Sequence, residues 1–234
     1  MAQELRARVK EAIPRAYNVK SIRLEIGREI AFKAGQFLLI TLQDNPELKR
    51  YLSISSSPTE RCYLEITKKL TNSDFSKALK QIEPGDTVKI QYPLGKFILE
   101  SPQADIAFLS GGIGITPIRS IAKYVVDSNL GTDMVLVYAN RSVRDVVFKE
   151  DFDAMQKVYP KLKVAHVLCE PEPGFKCTPG LINAQVIKNE VADYKKRKFY
   201  LCGPPAMVEA MGKILTAELG LAKENIVTEN FQGY

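Results

Sequence analysis

Between Leu5 and Tyr92 apolar and polar positions alternate in short runs: LRARVKEAI, VKSIRLEI, QFLLITLQ, YLSIS, CYLEITK and TVKIQY. A period of two puts one face of each run on a core and the other in water, which is the pattern of half-buried strands. Gly27, Gly35, Asn45-Pro46, Pro58 and Pro84-Gly85 fall between the runs and supply turns. Runs of this length and spacing predict a small antiparallel Greek-key β-barrel. One segment, SDFSKALKQI, changes period: Phe75, Leu79 and Ile82 share a helical face behind a capping Ser73 or Asp74. That short helix is expected to plug one end or side of the barrel.

After Ser101-Pro102 the pattern becomes strand and helix in alternation. ADIAFLS precedes PIRSIAKYVVDS, DMVLVYA precedes FKEDFDAMQKV, KVAHVL precedes LINAQVIKN, and KFYLC precedes PAMVEAMGKILTAEL. The unbroken apolar character of AFL, MVLVYA and FYL fits strands buried on both faces of a parallel sheet. IVTEN adds a last strand. The sequence therefore predicts two domains, a barrel over residues 1–100 and an α/β parallel-sheet, Rossmann-like domain over residues 101–234.

Composition narrows the classes. Among 234 residues, 45% are hydrophobic and 26% charged, a globular balance that excludes disorder and fibres. The longest uncharged stretch, Ile106–Ile118, is too short and too rich in glycine to span a membrane. The opening MAQELRARVKEA has no apolar core of a signal peptide, so a cytoplasmic protein is expected. Cys62, Cys169, Cys177 and Cys202 show no metal-binding spacing, so no metal is expected, and the single histidine, His166, lies in an apolar run suited to a strand face. Residues 1–100 carry 17 basic and 12 acidic side chains, against 16 and 15 in the remainder. Without a long basic run, this excess suits a solvated surface or an acidic protein partner and not a nucleic acid.

Four segments carry candidate chemistry. LSGGIGITPIRS lies where the first parallel strand gives way to its helix, where backbone N–H groups and the helix dipole favour a phosphate. Gly111, Gly112 and Gly114 permit close approach of the backbone, and Thr116 and Pro117 open the helix; Pro117 replaces the third glycine of the usual dinucleotide fingerprint. FYLCGPPAM repeats the arrangement later, with Cys202 at a strand tip before Gly203 and Pro204. In open α/β sheets that edge binds ligands. In the barrel, KRYLSISSSP offers Arg50, whose fork suits a diphosphate, and Ser53, whose hydroxyl suits a ring nitrogen. LTNSDFSKAL begins a helix with polar residues and is a second candidate phosphate cradle.

Taken in order, these segments resemble the ferredoxin-NADP reductase family of flavoproteins over nearly the whole chain. Arg50-Tyr51-Leu52-Ser53 is similar to the family's Arg-x-Tyr-Ser motif, with Leu52 where the ring-stacking tyrosine stands and Tyr51 pointing to the other strand face. Asn72-Ser73-Asp74-Phe75-Ser76 is similar to its second flavin motif, with both glycines replaced. The resemblance implies an FAD-binding barrel, FAD rather than FMN, using Arg50, Tyr51, Leu52, Ser53, Thr67, Asn72, Ser73, Ser76 and an aromatic cover, Phe231 or Tyr234, of which register favours Phe231. It implies an NAD(P)-binding domain using Gly111, Gly112, Gly114, Thr116, Pro117, Asn140, Arg141, Cys202, Gly203 and Pro204. The implied reaction is hydride transfer from NADH or NADPH to the flavin, with Ser53 at the ring nitrogen, Cys202 beside the nicotinamide and Glu229 behind them.

The cues for the coenzyme conflict. Asn140-Arg141-Ser142 suits a 2′-phosphate, whereas Glu170 repels one, and the balance favours NADH. The electrons would then pass to a separate acceptor: a ferredoxin, another iron-sulfur protein, a cytochrome or a small molecule. A free-flavin reductase, an electron-transfer subunit of a larger complex and a nucleotide-binding module without turnover are the competing readings.

Overall fold

The computed structural model describes residues 2–27, 31–101 and 104–230. The first half contains strands β1 (Gln3–Ala16), β2 (Val19–Glu25), β3 (Phe37–Thr41), β4 (Lys49–Ser53), β5 (Leu64–Lys69) and β6 (Thr87–Leu94), with helix α1 (Asp74–Gln81) between β5 and β6. They form one antiparallel sheet in the order β4-β3-β6-β1-β2-β5. A bridge between Ile54, just past β4, and Ile66 of β5 closes the sheet into a barrel. Alternation dictates its filling: Ala7, Val9, Ile22, Leu24, Leu38 and Ile40 point inward, and Phe75 and Leu79 of α1 complete the same core. The helix is the expected plug. Lys20 fixes its far end, donating to the carbonyls of Leu79, Lys80 and Ile82.

The second half contains β7 (Ile106–Gly111), α2 (Ile115–Asp127), β8 (Met134–Asn140), α3 (Lys149–Val158), β9 (Leu162–Leu168), β10 (Thr178–Pro179), α4 (Ala184–Glu190), β11 (Lys198–Gly203), α5 (Pro205–Lys213) and β12 (Ile226–Asn230). The sheet is parallel throughout, in the order β10-β9-β8-β7-β11-β12. All of β7 is buried, as expected for a strand covered on both faces. Phe108, Leu136 and Tyr138 pack under α2 and α3, while Leu109, Val137 and Leu201 pack under α4 and α5.

Chain order decides where a ligand can enter. The path runs outward from β7 through β8 and β9, then returns to the other side of β7 at β11, so the turns after β7 and β11 leave in opposite directions and open a crevice. The barrel packs over α2, and Val19, Ala34 and Phe97 join the apolar cluster that contains Ile118 and Ile121. Two-residue β10 has no periodicity that a sequence reading can use. Among the described residues no helix is long and apolar enough to cross a membrane.

Candidate active site

A cavity of about 370 Å³ lies where the barrel meets the crevice, lined by Arg50, Leu52, Ser53, Thr67 and Lys68 from the barrel and by Ile113 and Thr116 from the sheet domain. Strand β4 sorts its side chains by parity. Leu52 packs on the barrel core, whereas Tyr51 is 64% exposed and meets the edge of Phe37 at 5.6 Å. Ser53 is buried and its Oγ makes no hydrogen bond among the described residues. A buried hydroxyl without a partner costs about 1–3 kcal/mol, and a ligand ring nitrogen at this position would remove that cost. The orphaned hydroxyl, the apolar Leu52 and the neighbouring Arg50 together fit a flavin.

Arg50 connects the cavity to the start of α1, its guanidinium lying 5.5 Å from the Phe75 ring centroid. There Ser73 caps the helix, accepting from the Ser76 N–H, and the hydroxyls of Thr71, Ser73 and Ser76 lie within 3.1 Å of one another. Asn72 sits beside them, exposed. Such a hydroxyl cluster at a helix start suits a phosphate, although Asn72, Ser73 and Ser76 do not line the cavity itself. Thr67 does, but its hydroxyl is spent on Ser21 and Ser55 at 2.7 and 2.8 Å.

On the sheet side the turns after β7 and β11 lie against each other. A Cβ on Gly114 would sit 2.2 Å from the Cys202 carbonyl oxygen, and one on Gly111 would meet the Met207 sulfur at the same distance. These glycines thus serve the packing of the two turns, while Gly112, with φ +53 and nothing near a Cβ, keeps the open backbone. The Thr116 hydroxyl donates to the Ile113 carbonyl, and Pro117 is buried in the first turn of α2. Gly203 is buried and Pro204, just before α5, is exposed.

Cys202 is fully buried, in register with Ser110 on one side and Glu229 on the other. Burial, and then the Glu229 charge, push its thiol well up, and burial raises the Glu229 carboxyl to about 7. Among the described residues, Glu229 Oε2 and the hydroxyl of Ser110 have no hydrogen-bond partner. Ionised Glu229 opposes folding, so the carboxyl favours the folded state below its ordinary value of 4.5, and that stability drains away as the pH rises through about 7. Glu229→Gln is therefore expected to leave stability unchanged at pH 4 and to raise it by about 2 kcal/mol at pH 8 in urea denaturation. An equal gain at both pH values would remove ionisation as the cause.

Asn140 is buried at the carboxyl end of β8, and Arg141 beside it is exposed, its Nε donating to Glu170 Oε1 at 2.8 Å. Phe231 and Tyr234 lie outside the described residues. His166 stands half-buried on β9 between Tyr138 and Phe175, and burial lowers its basicity. The sequence reading missed Lys68, Lys69, Ile113, Ser110 and Thr71. Lys68 is 6% exposed despite its charge, and its place at the end of the LEITKK strand does not announce that burial.

A closed barrel facing the crevice of a parallel sheet, with a flavin-sized cavity shared between them, defines a two-domain dinucleotide-dependent oxidoreductase. The comparisons make this particular. Residues 5–98 match the oxidoreductase FAD-binding domain and residues 108–213 the oxidoreductase NAD-binding domain. NADH-cytochrome b5 reductase 1 of Aspergillus terreus is 31% identical over 228 residues, 93% of this chain and 74% of that protein. The glycine betaine monooxygenase reductase subunit of Chromohalobacter salexigens is 29% identical over 195 residues, 79% of this chain; the chain spans about half the length of that relative. The cytochrome b5 reductase domain of Ulva prolifera nitrate reductase shares the fold with a TM-score of 0.86 at 24% identity, covering 97% of both chains. The chain belongs to the ferredoxin-NADP reductase-like family of FAD- and NAD-binding oxidoreductases. Its two halves thus match an FAD-binding and an NAD-binding domain model.

Proposed function

We propose that the protein is an NADH-dependent flavoprotein reductase that passes electrons from FAD to a separate acceptor protein, with residues 1–100 holding the flavin and residues 101–234 the nicotinamide dinucleotide. The observation that carries this reading is the buried, unpartnered Ser53 hydroxyl in a cavity lined from both halves of the chain. FAD, when bound, accepts an electron pair from the nicotinamide and releases electrons singly or in pairs. The chain's own residues supply position and charge. Ser53 donates a hydrogen bond to the ring nitrogen that takes up the electron pair, and Leu52 gives the ring an apolar neighbour. Cys202 keeps its proton and packs as a neutral thiol beside the nicotinamide, while Glu229 holds a proton up to about pH 7 behind it.

Arg50 is assigned to the flavin diphosphate, with the Thr71, Ser73 and Ser76 hydroxyls as its companions. Arg50→Ala is expected to weaken FAD retention ten- to a hundredfold, the usual cost of a lost charge-assisted hydrogen bond. Equilibrium dialysis against FAD checks this, and undiminished occupancy would sink the assignment. The preference for NADH rests on Glu170, whose carboxylate occupies Arg141 and stands where a 2′-phosphate would need a free cation. The acceptor is taken to be an acidic, one-electron carrier, because the first half of the chain holds the basic excess.

Leu52 standing where a ring-stacking tyrosine is expected, beside a Tyr51 that lines the cavity but is 64% exposed, favours one second reading, a reductase that releases its flavin. A single experiment separates the two: the spectrum of the purified protein, identification of its released flavin, then anaerobic titration with NADH and with NADPH. Bleaching of bound FAD by NADH at least tenfold more effectively than by NADPH supports the proposal. Reduction of added free flavin alone supports the second reading, and no reduction at all overturns both.

A further inference from the structure

Helix α2 carries a single arginine among apolar neighbours, and Arg119 is only 2% exposed. Its guanidinium reaches across to the barrel. Nη1 donates to the Ser55 carbonyl and to Glu60 Oε2, each at 2.8 Å, and Nη2 donates to Glu60 Oε1 at 3.2 Å and to Asp151 Oδ1 of α3 at 2.8 Å. The group lies 5.1 Å from the centroid of the Phe148 ring, which Arg15 of the barrel also approaches, at 5.2 Å. One residue further along α2, Ser120 Oγ donates to the Ser56 carbonyl at 2.6 Å. Burial alone would raise the Glu60 carboxyl, but the hydrogen bond and charge of Arg119, with the Ser57 N–H and the Tyr63 hydroxyl, hold it down at about 2.

Stability is a weak reason for such a junction. Stripping water from buried charges offsets much of their attraction, and apolar side chains of similar volume would join two domains as firmly. A forked guanidinium adds direction, since it meets its acceptors in only one geometry. The residues it fixes lie next to the cavity. Ser55 follows Ser53 by two positions on the barrel side, and Arg119 follows Thr116 by three on the helix whose start faces the crevice.

We propose that Arg119 is a positioning residue for electron transfer from nicotinamide to flavin: it fixes α2 against Ser55 and Ser56 so that the Ser53 hydroxyl and the Gly114–Cys202 contact face each other at the spacing ring stacking requires. The proposal rests on the function proposed above. It follows that Arg119 contributes to the rate at which stacked rings react and little to the affinity for either nucleotide, because it is buried and does not line the cavity. A displacement of about 1 Å at a reacting pair can cost on the order of a hundredfold in rate.

The test uses the FAD-loaded protein and its R119K, R119M and S120A variants in anaerobic stopped-flow experiments with NADH over a range of concentrations. Thermal denaturation and FAD content are measured in parallel. FAD content and the Kd for NADH should stay near wild type, while the limiting rate of flavin reduction falls at least tenfold in R119M and less in R119K. The long-wavelength charge-transfer absorbance of the stacked rings should fall in the same order. S120A loosens the same junction without removing a buried charge; it should show a smaller change of the same sign, and it carries the test should R119M fail to fold. Limiting rates equal to wild type in R119K and S120A overturn the proposal. So does a rate loss that saturating NADH restores, or one matched by loss of FAD, since either marks an effect on binding or folding alone. A wild-type protein that neither nicotinamide reduces sinks the proposed function, whereas a wild type that is reduced alongside indistinguishable variants sinks only the role of Arg119.

Discussion

Gly114→Ala is expected to destabilise the protein by about 3 kcal/mol and to slow flavin reduction by nicotinamide at least a hundredfold. The added methyl would lie 2.2 Å from the Cys202 carbonyl oxygen, 2.5 Å from its carbon and 2.6 Å from the Gly203 nitrogen. All three are backbone atoms of β11, a strand paired on both sides, so none can swing away as a side chain would. The turns after β7 and β11 would have to part, and that parting moves Cys202 relative to the start of α2. Gly112→Ala provides the contrast. No atom of the described residues lies within 4 Å of its Cβ, and the cost is only that of holding alanine at φ +53, roughly 1–2 kcal/mol. Urea denaturation and stopped-flow reduction of both variants check the pair, and equal losses would show that backbone conformation, not the contact between turns, is what the glycines provide.

Ser53→Ala should move stability and rate in opposite directions. The Ser53 hydroxyl is buried and has no hydrogen-bond partner among the described residues, so its removal is expected to stabilise the apoprotein by about 1 kcal/mol. With FAD bound the same change removes the donor at the reacting nitrogen, and the limiting rate of reduction by NADH should fall at least tenfold while FAD stays bound. Differential scanning calorimetry of the apoprotein and stopped-flow of the FAD-loaded form measure the two effects. A lower melting temperature for the apoprotein variant would mean that the hydroxyl has a partner after all, and an unchanged limiting rate would remove Ser53 from the reaction.

Much of the site was legible in the chain because its motifs are local. Gly111 to Pro117 and Cys202 to Pro205 each sit at a strand end followed by a helix, and strand periodicity located both ends. Parity along β4 foretold that Tyr51 would face away from Leu52, and it does. The helix of Phe75 and Leu79 was readable as a barrel plug from its change of period. Thr67 shows where such reading stops. Its place on β5 is set by alternation, but the partners of its hydroxyl, Ser21 and Ser55, come from other strands.

The sequence by itself determined the element types, the order of barrel and parallel sheet, and the segments that turn at the ligand edge, because hydrophobic period, turn chemistry and capping act over a few residues. Only the tertiary structure decided which charges are buried and what they do. Arg119 looks in sequence like any helical arginine, yet its acceptors Ser55 and Glu60 lie 64 and 59 positions away. Glu65 is fully buried, its carboxylate held by Arg15 of β1 and Arg23 of β2. Burial of charge depends on the field of every group folded against it, and a linear chain does not state which distant groups those will be.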